Sequence, residues 1–168
     1  MHYESTKIDR STEKSVYETL LKSMDSVLEP NIPVISNLSN FIAVLKDSFP
    51  KISWIGYYFL KNGSLYLGPF QGKVACTKIE VGSGVCGTVA EKKESLIVEN
   101  VHKFSGHIAC DSGSNSEIVL PIFNNGELIG VLDLDSYDFA AFTELDKIYM
   151  EKMLNLLSNK INFNTLNF

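Results

Sequence analysis

The sequence predicts an α+β fold, with helices at both ends of the chain and an antiparallel sheet between them. Two observations carry this expectation. Apolar residues recur at helical spacing toward the two termini, whereas between about residues 51 and 137 the pattern changes to short β-branched and aromatic runs broken by turn residues. A third observation sets the sheet type: Asn-Gly turns join successive runs, so neighbouring strands pair as hairpins. Helices before and after such a sheet pack on one of its faces.

Each element has its own signal. Val16, Leu20, Met24, Val27 and Leu28 mark a helix over about 11–29, stopped by Pro30. Pro33 stands at the first position of a second helix, which carries Leu38, Phe41, Ile42 and Leu45 and ends before Pro50. "ISWIGYYFLKNGSLYLGPF" reads as a hairpin about Lys61-Asn62-Gly63. "CTKIEV" and "SLIVEN" are short strands around a brief helix beginning near Gly84, and "EIVLPIFNNGELIGVLDLDS" is a second hairpin. A last helix over about 143–161 begins at Thr143, with Asp146 completing a capping box, and turns Leu145, Ile148, Met153, Leu156, Leu157 and Ile161 inward. We expect one domain over 1–168: helices at about 11–49, sheet and loops at about 51–137, and the terminal helix.

Bulk properties narrow the function. The 168 residues are 45% hydrophobic and 21% charged, which is globular composition. A net charge of −5 with no basic stripe speaks against nucleic acid. The start, "MHYESTKIDRSTEKS", is too polar for a signal or transit peptide, and no apolar run reaches the ~18 residues of a membrane span. A cytoplasmic chain is expected. In that reducing compartment three cysteines, Cys76, Cys86 and Cys110, leave metal binding, redox chemistry or inert packing.

The second hairpin carries the first chemical signal. "VLDLDS" places Asp133 and Asp135 on one face of a strand. The face taken by Glu117 depends on the turn at Asn124-Asn125-Gly126. A two-residue loop pairs Phe123 with Leu128 and sets Glu117 opposite Leu134. A three-residue loop with Gly126 left-handed pairs Phe123 with Glu127 and sets Glu117 opposite Asp133. The second is favoured, because Gly126 then closes the turn where a positive φ is needed. The carboxylates then share a face, raise one another's pKa and keep a proton available for general-acid chemistry. The alternative is a rim of separately solvated carboxylates.

"GSGVCG" matches G-x-G-x-x-G, but no repeating βαβ pattern surrounds it, so it is not read as a dinucleotide fingerprint. Its backbone N–H groups at a helix start still suit an anion, a phosphate or an amino-acid carboxylate. The cysteines lack a C-x2-C pair, and even with His102 or His107 they make a poor zinc set; no metal is expected. Cys86, between Val85 and Gly87, reads equally as packing. Cys110 does not: Asp111, Ser112 and Gly113 place it in a polar loop where a thiol can react, with Cys76 or Cys86 available to close a disulfide.

Taken together, "GPFQGKVACTKI", "GSGVCGTVA", "VHKFSGHIACDSGSNSEIVLPI" and "IGVLDLDS" resemble the free methionine-(R)-sulfoxide reductases, a GAF-domain family. The resemblance spans roughly residues 50–145 and includes all three cysteines in order and spacing. It implies a six-stranded antiparallel sheet, a homodimer, reduction of free methionine-(R)-sulfoxide, thioredoxin as reductant and no cofactor. By the same resemblance Cys110 is the catalytic cysteine, and Cys76 and Cys86 resolve and relay the disulfide. Glu117, Asp133 and Asp135 are its substrate carboxylates, and Trp54 and Tyr58 the aromatic wall at the substrate's methyl end. Which of Cys76 and Cys86 attacks first stays open, with Cys76 favoured. A non-catalytic GAF ligand sensor and a thiol peroxide sensor are the alternatives, since fold alone does not fix function.

Overall fold

The computed structural model describes residues 13–106 and 111–166. Cys110 and His107 lie outside the described residues, as does the beginning of the first helix expected from the sequence. The elements run α1 (Glu13–Val27), α2 (Val34–Ser48), β1 (Trp54–Lys61), β2 (Ser64–Gln71), β3 (Lys78–Glu80), α3 (Gly84–Lys92), β4 (Leu96–Val98), β5 (Ser116–Asn124), β6 (Glu127–Ser136) and α4 (Glu144–Lys160). The six strands form one sheet in the order β3-β2-β1-β6-β5-β4, and every pairing is antiparallel.

Strand alternation divides the core in two. Ile55, Tyr57 and Phe59 of β1, Ile118, Leu120 and Ile122 of β5, and Leu132 and Leu134 of β6 face one side. There they meet Tyr17, Leu20 and Met24 of α1, Leu38, Phe41 and Leu45 of α2, and Tyr149, Met153 and Leu157 of α4. The expected packing of terminal helices on one face therefore holds. The other face carries Trp54, Tyr58, Val119 and Val131, and is covered by Val85, Cys86 and Val89 of α3. Because both faces are covered, β1 is buried from Trp54 to Phe59.

Local chemistry accounts for the helix ends. Pro33 is the residue before α2, one position earlier than expected. The buried Asn37 amide accepts from Glu29 N–H and donates to Glu29 C=O, tying α2 to the end of α1. Thr143 and Asp146 form the expected capping box at the start of α4. Ile148, expected inward, is 44% exposed; Tyr149, Met150 and Leu154 take the inner side instead, so the buried stripe is rotated by about one residue.

The second hairpin differs from expectation in a way that matters for function. Its loop is the two-residue Asn125-Gly126 turn, with φ of 51° and 82°, and it pairs Asn124 with Glu127 and Phe123 with Leu128. Asn tolerates a positive φ almost as Gly does, and the resulting turn matches strand twist. Without correction, this register would place Glu117 on the helix-covered face. A bulge corrects it: Ile122 pairs with Gly130, so Ile129 is an extra residue on β6. Glu117 then lies opposite Asp135, not Asp133 as expected, but the shared face survives.

Candidate active site

The site forms on the α3 side of the sheet, where one end of β1, β6 and β5 meets a helix start. Glu117 of β5 is directly across from Asp135 of β6, with Asp133 on the next diagonal, and Asp135 is in turn paired with Trp54 of β1. Asp133 pairs with Gly56, where a side chain would collide at 2.5 Å with the Trp54 ring. Glycine at that position lets the indole lie across the strand. Trp54 stacks on Phe70, and its indole N–H donates to Lys73 C=O at 3.0 Å. The Tyr58 hydroxyl donates to Cys76 C=O, also at 3.0 Å.

Tyr58, Glu117, Asp133 and Asp135 line one cavity together with Ser83, Gly84 and Cys86 at the start of α3 and with Asp111 and Ser114 of the loop before β5. Gly84 has φ of 61°, which lets the chain turn into the helix, so that Ser83 to Cys86 form one wall of the cavity. The Ser83 side chain makes no capping bond. A second recess beside it is walled by Trp54, Tyr58, Val74 and Ala75 and reaches Asp133 and Asp135.

Burial and mutual repulsion govern the carboxyls. Burial, then the charges of Asp133 and Asp135, push Glu117 well above the ordinary carboxylate range. Asp135 is raised by burial and then by Asp133. Burial lifts Asp133 to about 7, against the opposing hydrogen bonds of Cys86 and Glu117. The cluster thus holds protons at neutral pH, and Asp133 titrates where a general acid is most useful. Burial and the same carboxylates also push the Cys86 thiol up, so it is no ready nucleophile.

The cysteines divide by state. Cys76 carries a disulfide, whereas Cys86 is a free and buried thiol whose Sγ lies 4.0 Å from Glu117 Oε1.

Comparison with known proteins matches the GAF domain model to residues 25–161. Two curated relatives are both called free methionine-R-sulfoxide reductase. The one from Escherichia coli is 44% identical over 131 residues, covering 78% of this chain and 79% of its own. The one from Saccharomyces cerevisiae is 40% identical over 158 residues, covering 89% and 88%. The chain belongs to the free methionine-R-sulfoxide reductase family of GAF domains. A solved structure of the Neisseria meningitidis enzyme in complex with its substrate superposes with a TM-score of 0.86 at 37% identity, covering 98% of this chain and 95% of that one.

Within this GAF domain, Glu117, Asp133, Asp135, Tyr58 and Cys86 line one cavity, Trp54 stands in the adjoining recess, and Cys76 approaches through its backbone contact with Tyr58. Sequence reasoning did not single out Ser114, which is buried beside the carboxyls. Nor did it foresee the clasp around Asp111. That carboxylate accepts from Gly113 N–H at 2.9 Å and from the Tyr137 hydroxyl at 3.0 Å, and pairs with Lys73 Nζ at 3.2 Å. The Gly113 amide, the Tyr137 hydroxyl and Lys73 hold Asp111 below its usual range. Lys73 precedes Cys76 and Asp111 follows Cys110, so the clasp joins the two cysteine-bearing loops. A lysine 38 residues away leaves no local sequence signal.

Proposed function

We propose that this chain reduces free methionine-(R)-sulfoxide to methionine. The observation that carries the reading is a proton-holding cluster of Glu117, Asp133 and Asp135 that shares one cavity with the start of α3, a helix end without a side-chain cap. A free amino acid needs both ends bound: oxygens for its ammonium and N–H donors for its carboxylate. The relatives named above and the substrate complex of the Neisseria protein support the same assignment.

In this reading the thiolate of Cys110 attacks the sulfoxide sulfur while a protonated carboxyl, Asp133 by its titration range, donates to the sulfoxide oxygen. The sulfoxide S–O bond and the transient bond between the two sulfurs then break as the protonated oxygen passes to Cys110 Sγ, so methionine leaves with a thioether sulfur and Cys110 is oxidised to the sulfenic acid. The Cys76 thiol then displaces water, forming a Cys76–Cys110 disulfide that thioredoxin reduces by exchange. The disulfide state of Cys76 and the free state of Cys86 support Cys76 as the resolving thiol and leave Cys86 as a relay. The remaining carboxylates suit the ammonium, and Trp54 and Tyr58 suit the methyl end. A peptide-bound methionine sulfoxide leaves both end-recognition sets unpaired and is rejected. Regeneration by thioredoxin suits the reducing cytoplasm, and the family resemblance implies a homodimer. Among the described residues no helix is long and apolar enough to cross a membrane.

The test is a thioredoxin-coupled NADPH assay on free methionine-(R)-sulfoxide, its (S)-epimer and an N-acetylated (R)-sulfoxide. Turnover of the free (R)-form alone is expected. No turnover of any of the three with reduced thiols would sink the reading in favour of a ligand sensor, and peroxide consumption without sulfoxide reduction would point to a peroxide sensor.

A further inference from the structure

The deepest part of the cavity gathers a thiol and two carboxyls from three elements. Cys86 comes from the first turn of α3, Glu117 from β5 and Asp133 from β6, and one ligating atom of each lies within 4.8 Å of the other two. The three residues are 4%, 5% and 7% exposed. Among the described residues, no ion pair reaches Glu117 or Asp133. Asp133 Oδ1 is buried and, among the described residues, has no hydrogen-bond partner. A buried carboxyl oxygen left unpaired in a polar cavity is costly unless a donor or a cation completes it.

We propose that this corner is a binding site for a divalent cation of the zinc class, held by Cys86 Sγ and one oxygen each from Glu117 and Asp133, with a fourth position open to the cavity. A mixed sulfur and oxygen set selects zinc or cobalt over magnesium or calcium, which take oxygen alone. Bond lengths of about 2.3 Å to sulfur and about 2.0–2.2 Å to oxygen put tetrahedral ligands about 3.5 Å apart. Cys86 Sγ and Glu117 Oε1 stand 4.0 Å apart, so closing on an ion asks for a shift of about half an ångström. The thiol proton and the carboxyl protons leave to solvent as the ion enters. Three protein ligands with an open fourth position make an exchangeable site, unlike a closed structural one.

The ion would engage Glu117, given above to the substrate's ammonium, and Asp133, given above to proton donation, so its effect on turnover rests on the reductase reading, whereas its binding does not. The thiol separates the two cations, because zinc or cobalt forms a coordinate bond to a thiolate whereas an ammonium can only hydrogen-bond or pair with it.

The experiment titrates the full chain, its thiols reduced with a phosphine, with Co2+ as a spectroscopic stand-in for zinc. A thiolate-to-cobalt charge-transfer band saturating at one equivalent and bleached by Zn2+ is expected. The Cys76→Ser/Cys110→Ser double variant keeps the band, and Cys86→Ser loses it. Asp133→Asn, with an unchanged circular dichroism spectrum, weakens cobalt binding by about tenfold or more. A band that survives in Cys86→Ser, disappears in the double variant, or never forms overturns the site; if Cys86→Ser does not fold, the other two variants decide. Free methionine raises the cobalt concentration needed for half saturation. A Cys86-dependent band that methionine leaves unmoved upholds the metal site and counts against the amino-acid reading of the cavity.

Discussion

Asp133 sits where sheet register, burial and proton chemistry meet. Burial disfavours its charge and lifts its carboxyl to about 7. In the proposed reaction a proton on Asp133 is needed, so the sulfoxide step slows as pH rises through about 7. Asp133→Asn should remove that limb of the pH–rate profile and lower the rate throughout; an unchanged alkaline limb would assign the proton elsewhere. The same shift has a stability consequence of definite sign. The folded state holds a proton that the unfolded chain releases near pH 4, so this contribution is complete below pH 4 and is lost as pH rises through about 7. Thermal melting at pH 5 and pH 8 should show Asp133→Asn losing less stability over that interval than the native protein. Equal losses would mean that Asp133 does not carry the shift.

At the scale of elements, the two loops that carry Cys76 and Cys110 are joined through a single carboxylate. Asp111 takes hydrogen bonds from Gly113 and Tyr137 while Lys73 reaches it from the other loop and lies 5.1 Å above the Tyr137 ring. An exposed pair of this kind adds little to stability. Its value lies in orientation: two thiols must meet in line for exchange, and small misplacements are expensive in rate. Asp111→Ala is therefore expected to slow disulfide closure after one equivalent of substrate by about tenfold to a hundredfold, while methionine binding and melting temperature change little. Rapid-quench thiol counting reads this directly, and closure at the native rate would leave the clasp without a role. The hairpin of β5 and β6 teaches a related lesson. The turn was legible as Asn-Gly but its length was misjudged, because Asn125 takes the left-handed conformation that had been reserved for Gly126. Gly130 was the available sign of the bulge: a side chain there would meet Tyr58 C=O at 2.3 Å, and glycine within a strand often marks such a place.

For the whole molecule, a buried polar junction holds the terminal helices to the sheet. Asp146 of α4, fully buried, accepts from the Tyr17 hydroxyl of α1, from Thr143 N–H, and from Lys51 Nζ at 2.7 Å just ahead of β1. Burial opposes the charge on Asp146, but the Lys51 ammonium, the Tyr17 hydroxyl and the Thr143 amide together keep its carboxyl below the usual value. Removing one member of a buried pair costs more than the pair contributes, because its partners stay behind unsatisfied. Asp146→Ala should destabilise the fold by about 3 kcal/mol, read as a lower urea midpoint at unchanged m value. A change below about 1 kcal/mol would show that water replaces the carboxylate there. By itself, the sequence determined the helices, hairpins, capping box and chemically active residue types, because period, turn residues and caps act over a few neighbouring positions. It also determined that Glu117, Asp133 and Asp135 share a face, although by way of the wrong turn. Only the tertiary structure decided that Glu117 meets Asp135, that Cys86 lies beside Glu117 and Asp133, and that Lys73 reaches Asp111. Those relations depend on a bulge, on the docking of α3 and on loop packing, which are settled by contacts between residues far apart in the chain.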